Sequence, residues 1–275
     1  MLEKFSFSKL TSFNTCKYNY YLTYIEKLDG IQNIYGELGT SCHECIEGLI
    51  KNELTIEGAK AKFNSDLDTC DMLELEFPKY KGSNEMIRRN YVDSIHNYFD
   101  NFELFCDNPD YESIEEYFEL EMYDVIVRGY IDYYYIKGND LYIIDFKTSS
   151  KFTKQDLEKK KLQLIIYGLY LRMKYPDKKI YLAFDMLKYV MGARGGLKER
   201  HKLEILEDGE RGFVWIEFDD ENIQQALDFV KNTISEINNH IENKLEWTPK
   251  AEPTKDYFCN NLCGNKVNCK YYKGE

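Results

Sequence analysis

The chain has 275 residues, 43% hydrophobic and 31% charged, which is enough length and apolar content to bury a full core as a water-soluble globular protein. Its net charge of −12, from 36 Lys and Arg against 48 Asp and Glu, excludes broad, non-specific coating of nucleic acid, and no apolar run is long enough to span a membrane. The opening Met1-Leu2-Glu3-Lys4-Phe5-Ser6 lacks the apolar stretch of a secretion signal, so a cytoplasmic location is expected, with the eight cysteines present as thiols or metal ligands rather than disulfides.

In chain order, Ser8 is expected to cap a first helix that carries Leu10, Phe13, Tyr20, Tyr21, Tyr24 and Ile25 at helical spacing. A second helix is expected over 39–51, and helices continue over 55–107 with a break near Phe77-Pro78. Strands follow over about 117–146. Within them Val125-Ile126-Val127 leads to Gly129-Tyr130-Ile131-Asp132, and Lys137-Gly138-Asn139-Asp140 reads as a turn. The apolar run Leu141-Tyr142-Ile143-Ile144 then ends in Asp145-Phe146-Lys147-Thr148. A helix over 154–174 stops before Pro176, and a strand over 179–187 enters the segment Gly192-Ala193-Arg194-Gly195-Gly196, expected to be a mobile loop. A strand over 213–218, a long helix over 220–245 and a cysteine-bearing tail without periodicity complete the chain. The pattern is α/β, with an α-β-β-β-α-β middle between added N-terminal and C-terminal helices.

Side chains alternate along a strand, so Asp145 and Lys147 share one face and Phe146 takes the other. A carboxylate at the end of a buried apolar strand is costly unless it is paired or metal-bound. Charge is also uneven. Residues 110–124 hold seven acids and no base, residues 146–161 hold six lysines against two acids, and residues 186–202 hold Lys188, Arg194, Lys198, Arg200 and Lys202 against Glu199. An acidic protein with two basic segments beside such a site can still grip a phosphate backbone locally, although each lysine run by itself reads as a solvated helix face.

Four motifs recur in order: Gly39-Thr40-Ser41-Cys42-His43-Glu44, Gly129-x-x-Asp132, Asp145-x-Lys147-Thr148 and Gln163-x3-Tyr167. Together they resemble the RecB-like branch of the PD-(D/E)XK nucleases, over most of the chain and most strongly over residues 129–167. The resemblance implies a restriction-endonuclease-like core within a single domain, 1–275, comprising a helical part at 1–110, a nuclease core at 111–218 and a C-terminal helix with a cysteine cluster at 219–275. It implies that Asp132, Asp145, His43 and the Phe146 carbonyl hold Mn²⁺ or Mg²⁺. The imidazole ligand favours Mn²⁺. Lys147 is then the residue that positions water or stabilises developing negative charge. Gln163 and Tyr167, at i and i+4 on one helix face, would line the site, with Tyr167 equally readable as a core aromatic. Glu119 or Glu121 could add a carboxylate, an assignment ambiguous by one strand face.

The tail Cys259-x3-Cys263-x5-Cys269, with Cys16 at the other end, is similar to the split cysteine set of iron–sulfur RecB-like nucleases such as the AddB nuclease domain and CRISPR-associated exonucleases. There one N-terminal and three C-terminal cysteines bind [4Fe-4S] and join the termini. Four thiolates suit Zn²⁺ equally. Two features depart from that pattern: the first tail gap has three residues instead of two, and Lys17 stands where proline is usual. Cys42 and Cys45 read as packed thiols, Cys70 and Cys106 as core residues, and Tyr189 as the tyrosine to test for nucleic-acid contact. The implied activity is metal-dependent DNA hydrolysis from ends or single strands, with DNA as partner, a possible helicase or recombination partner, and no membrane. A non-cleaving nucleic-acid-binding or recombination-complex subunit that keeps the fold is the alternative, and a structural zinc protein explains only the tail.

Overall fold

A computed structural model describes residues 2–79, 82–149, 152–188, 212–249 and 252–272. The chain forms two compact units, each assembled from separated stretches. The first comprises Met1–Asn33, Tyr117–Tyr130 and Asp220–Glu275; the second comprises Ile34–Glu116 and Ile131–Asp219. Among the described residues no helix is long and apolar enough to cross a membrane.

In the first unit, β1 (Glu3–Ser6) runs parallel to Val125–Arg128, the beginning of β3 (Val125–Lys137). It passes directly into α1 (Phe7–Thr15), whose N-cap is Ser6 and not the expected Ser8. The β1 ladder holds Ser6 extended, at φ −92 and ψ 160, which is the backbone a capping residue needs; its Oγ accepts from the Lys9 N–H at 3.0 Å. Ser8 lies inside the helix, with its Oγ 2.8 Å from that of Ser6. A short α2 (Lys17–Tyr20) and a π-helical turn (Tyr21–Ile25) follow. The long α7 (Asp220–Glu242) buries Ile223, Ala226, Val230, Ile234 and Ile237, a 3–4 spacing that faces α1.

The tail, which shows no period in sequence, is folded. It forms α8 (Tyr257–Asn261) and a 3₁₀ turn (Gly264–Asn268), and buried Asn265 donates to Asn19 at 3.1 Å and Thr23 at 2.7 Å. Trp247 stacks on Tyr20 and Tyr21, with ring centroids 5.9 and 5.6 Å away. Gly264 is where backbone meets backbone: its carbonyl accepts from the Ile31 N–H at 2.9 Å, and a Cβ there would lie 2.7 Å from the Ile31 carbonyl oxygen. Neither strand of chain can yield as a side chain would. Gly264→Ala is therefore expected to destabilise the protein by roughly 1–3 kcal/mol, read as a drop in melting temperature.

In the second unit, α3 (Ile34–Ile50), α4 (Ile56–Met72) and α5 (Glu85–Asp100) form one layer. Helix α3 starts at Ile34 rather than residue 39, because buried Ile34 and Leu38 outweigh the poor helix propensity of Gly36 and Gly39. β2 (Tyr111–Met122) likewise starts earlier than residue 117, inside the acid-rich stretch. The hairpin between β3 and β4 (Asp140–Lys147) turns at Gly138, φ +59, as expected. β4 then pairs in parallel with β5 (Lys179–Met186), which pairs antiparallel with β6 (Phe213–Ile216). Tyr133, Tyr135, Ile144 and Phe146 face the helical layer and share its core with Leu38, Ile46, Phe63 and Phe99. The opposite face carries Asp132, Asp145 and Lys147, and α6 (Lys154–Lys174) packs against β4 and β5 there. The observed order is α-β-β-β-α-β, the mixed α/β arrangement expected from sequence.

Candidate active site

The convergence of the acids begins with strand register. Tyr133 pairs with Ile144 across β3 and β4, so the next step sets Asp132 opposite Asp145 on the same face. The Phe146 N–H donates to Asp132 Oδ2 at 2.8 Å, tying the two strand ends together. Asp145 is 1% exposed, and its ionic partner is Lys147, two residues along the same face. Apart from that pair, neither buried Asp145 oxygen accepts a hydrogen bond among the described residues.

From α3, His43 reaches the same strand ends. Its Nε2 lies 3.1 Å from the Phe146 carbonyl oxygen, and its Nδ1 lies 3.6 Å from Asp132 Oδ2 and 4.0 Å from Glu115 Oε1. A proton on Nε2, donated to the carbonyl, leaves the Nδ1 lone pair directed at two carboxylates. Burial pushes the His43 imidazole down, against the pull of Asp145, and so favours the neutral form that can bind a metal. Burial and then the neighbouring Asp145 charge drive the Asp132 carboxyl well above the usual range. Burial by itself would depress the Lys147 ammonium, but Asp145 and Asp132 outweigh it and hold the group up.

Gln163 and Tyr167 share one face of α6, and the Gln163 amide donates to the Tyr167 hydroxyl at 2.6 Å. Tyr167 is buried, and burial followed by the charges of Asp145 and Asp132 raises its phenol far above the normal range. The same face carries Lys160, three residues before Gln163, whose ammonium is pushed down by burial and then by Lys147. Sequence reading passed over Lys160 within its lysine run.

Among the described residues, three potential ligand atoms, from His43, Glu115 and Asp132, lie within 4.8 Å of one another. The β2 carboxylate that lies beside His43 and Asp132 is Glu115, not Glu119 or Glu121. Glu119 pairs with Lys4 at 2.5 Å, and Glu121 is exposed. The cause is a break in strand alternation. Glu112 and Ile114 face the helical layer, where Glu112 accepts from Tyr133 at 2.7 Å. Glu116 should share that face, yet it accepts from Tyr134 at 2.6 Å and pairs with Lys174 of α6 at 2.6 Å, on the other side. Glu115 between them has φ +51, the left-handed kink of a bulged strand, which shifts the phase by one residue. No residue type in this stretch signals it.

The donor set, carboxylate and carbonyl oxygens with one imidazole, fits Mn²⁺ or Mg²⁺. A cation here would add to the counter-charge that Lys147 gives Asp145 and would offset the Asp132 carboxyl beside it.

In the first unit, Cys16, Cys259, Cys263 and Cys269 line one small cavity together with Tyr18, Leu22 and Pro253. Burial, then Asp256, pushes the Cys259 thiol up to about 12. The Cys263 thiol is also raised, by burial first. Four thiols around one cavity fit a cysteine-ligated metal centre by donor type. Cys42 and Cys45 are fully buried and Cys70 nearly so, whereas Cys106 is only partly buried at the margin of the helical core. Of the basic segment 186–202, Lys188 is described; its ammonium lies 4.8 Å above the Tyr91 ring, and burial depresses it to about 8. Tyr189, Arg194, Lys198, Arg200, Lys202 and the glycine-rich segment 192–196 lie outside the described residues.

The sequence profile of the PD-(D/E)XK nuclease superfamily matches residues 4–270. The chain belongs to that superfamily. Among solved structures it is similar to a "Putative exonuclease" from Eubacterium rectale, with 13% identity, a TM-score of 0.50, and coverage of 94% of this chain and 88% of that one. At that identity the likeness concerns the fold alone. No curated protein matches the chain.

Proposed function

We propose that the chain is a divalent-metal-dependent deoxyribonuclease of the RecB-like, iron–sulfur branch, acting as an exonuclease on DNA ends or single strands. The observation that carries this reading is the meeting of His43, Asp132, the Phe146 backbone and the Asp145–Lys147 pair at the ends of β3 and β4. The neighbour from Eubacterium rectale, named for exonuclease activity, agrees with it.

Asp132, Asp145, His43 and the Phe146 carbonyl would hold Mn²⁺ or Mg²⁺, which supplies activation of water and neutralisation of phosphate charge. Lys147 carries a fixed ammonium into the volume where negative charge develops on the phosphate. Its pairing with Asp145 keeps it protonated and aimed. Gln163 and Tyr167 fix the wall formed by α6, and the Lys160 ammonium beside Lys147 offers a second contact for the backbone phosphates. No protein nucleophile is required.

The four thiols are read as ligands of a structural [4Fe-4S] cluster that staples the chain's ends. Four thiolates suit a single Zn²⁺ equally by donor type. A helicase or recombination partner is consistent with the branch.

Anaerobically prepared protein, assayed with each cation on end-labelled linear and covalently closed circular DNA, should degrade the linear form and spare the circle. The rate should fall as the pH is lowered. The elevated Asp132 carboxyl takes up a proton at a pH where an ordinary aspartate stays ionised, and that proton competes with the cation. DNA binding without cleavage under every cation would identify a non-cleaving subunit instead.

A further inference from the structure

We propose that Glu115 is a further protein ligand of the divalent cation, delivered by the left-handed residue in β2; this rests on the metal-dependent reading above. A glutamate at φ +51 in the middle of a strand is backbone strain, and such strain persists only where the surroundings impose it. Without the kink, alternation would leave residues 112, 114 and 116 on one face and turn Glu115 away from His43. With it, Glu115 Oε1 comes to 4.0 Å from His43 Nδ1 and joins Asp132 within a 4.8 Å sphere. The side chain is 40% exposed, so a cation can reach it from solvent.

The charged groups facing Glu115 are Glu47, Asp145 and Lys51, besides the imidazole. Lys51 is engaged by Glu47, four residues before it on α3. Among the described residues the carboxylate therefore stands mainly among like charges, with Lys51 turned to Glu47. Beside it Asp145, 99% buried, has its ionic partner in Lys147; apart from that pair its oxygens accept no hydrogen bond among the described residues, and its charge is felt by both Asp132 and Glu115. Two carboxylates and an imidazole nitrogen, with ligand atoms within 4.8 Å of one another, gather repelling charge that a bound cation would offset. Divalent cations with a preference for mixed oxygen and nitrogen donors, Mn²⁺ foremost, are the ligand class that resolves it.

The experiment measures Mn²⁺ binding to the full-length protein by the loss of the free-ion electron paramagnetic resonance signal, without DNA, alongside thermal melting. Wild type should bind. Glu115→Gln, which keeps the backbone and removes the charge, should weaken binding by at least the about 10–100-fold seen when a metal site loses even an outer partner. Glu115→Gly should lose binding equally, and its metal-free form should melt about 2–4 °C higher because glycine adopts φ +51 without penalty. Wild-type affinity in both variants, with Asp132→Asn abolishing binding, would overturn the role of Glu115 and leave the nuclease reading intact. Absence of Mn²⁺ binding by the wild type would instead remove the reading on which it rests.

Discussion

Lys147→Ala is expected to lower the cleavage rate by about 10²–10³-fold or more, the range found when one preorganised electrostatic partner of a transition state is removed. Its ammonium, 20% exposed, is the only fixed positive group in contact with the buried Asp145 carboxylate among the described residues. The same change should cost stability at neutral pH, toward the lower end of the 3–5 kcal/mol typical of a broken buried pair, roughly. Mn²⁺ should recover part of the melting temperature at neutral pH, because the cation replaces the missing counter-charge, while leaving cleavage lost. Lys147→Arg separates the roles: it should restore melting and not rate, since a planar guanidinium cannot reproduce the position of the ammonium. Cleavage by Lys147→Ala at the wild-type rate would reject the site assignment.

Cys263→Ser should strip the protein of its iron, or zinc, and lower its melting temperature by roughly 10 °C or more. The buried cysteine-side cluster is small, Cys16, Tyr18 and Leu22 with partly buried Trp247, Phe258 and Tyr271 around it, and α8 buries no residue fully. So thin a core depends on a cross-link. Joining Cys16 to the tail closes a loop of almost the whole chain, which removes on the order of 5 kcal/mol of closure entropy from the unfolded state. At about 2–4 °C per kcal/mol for a protein of this size, the expected shift follows. Metal analysis and the absorbance near 400 nm, roughly where iron–sulfur centres absorb, provide the measurement. Cys70→Ser, in the helical layer, is the control that should retain the metal. Unchanged metal content in Cys263→Ser would exclude the cysteine assignment.

The central hairpin was legible because its signals are local. Gly138 at the turn, the apolar run before Asp145 and the two-residue alternation that pairs Asp145 with Lys147 all lie within a few residues of one another, and the strands obey them. The Gln163–Tyr167 pair was legible for the same reason, since helical spacing alone puts the two side chains together. The cap of α1 was misplaced because Ser6 and Ser8 are equally good caps in isolation, and the choice is made by β1, whose ladder partner lies more than a hundred residues away. Residues 252–272 show no periodicity because their order comes from partners such as Asn19 and Thr23 near the other end of the chain.

By itself, then, the order of residues determined the hairpin, the facing of Asp132, Asp145 and Lys147, and the PD-(D/E)XK superfamily to which the chain belongs, because each depends on periodicity or on motif spacing. Only the tertiary structure decided that Glu115 and not Glu119 or Glu121 approaches His43, since a single left-handed residue reverses every downstream face of β2 and is written in no side chain. Only the tertiary structure, too, gathered residues 1–33 and 220–275 into one unit, because contacts between distant segments are set by the shapes that pack and not by the spacing along the chain.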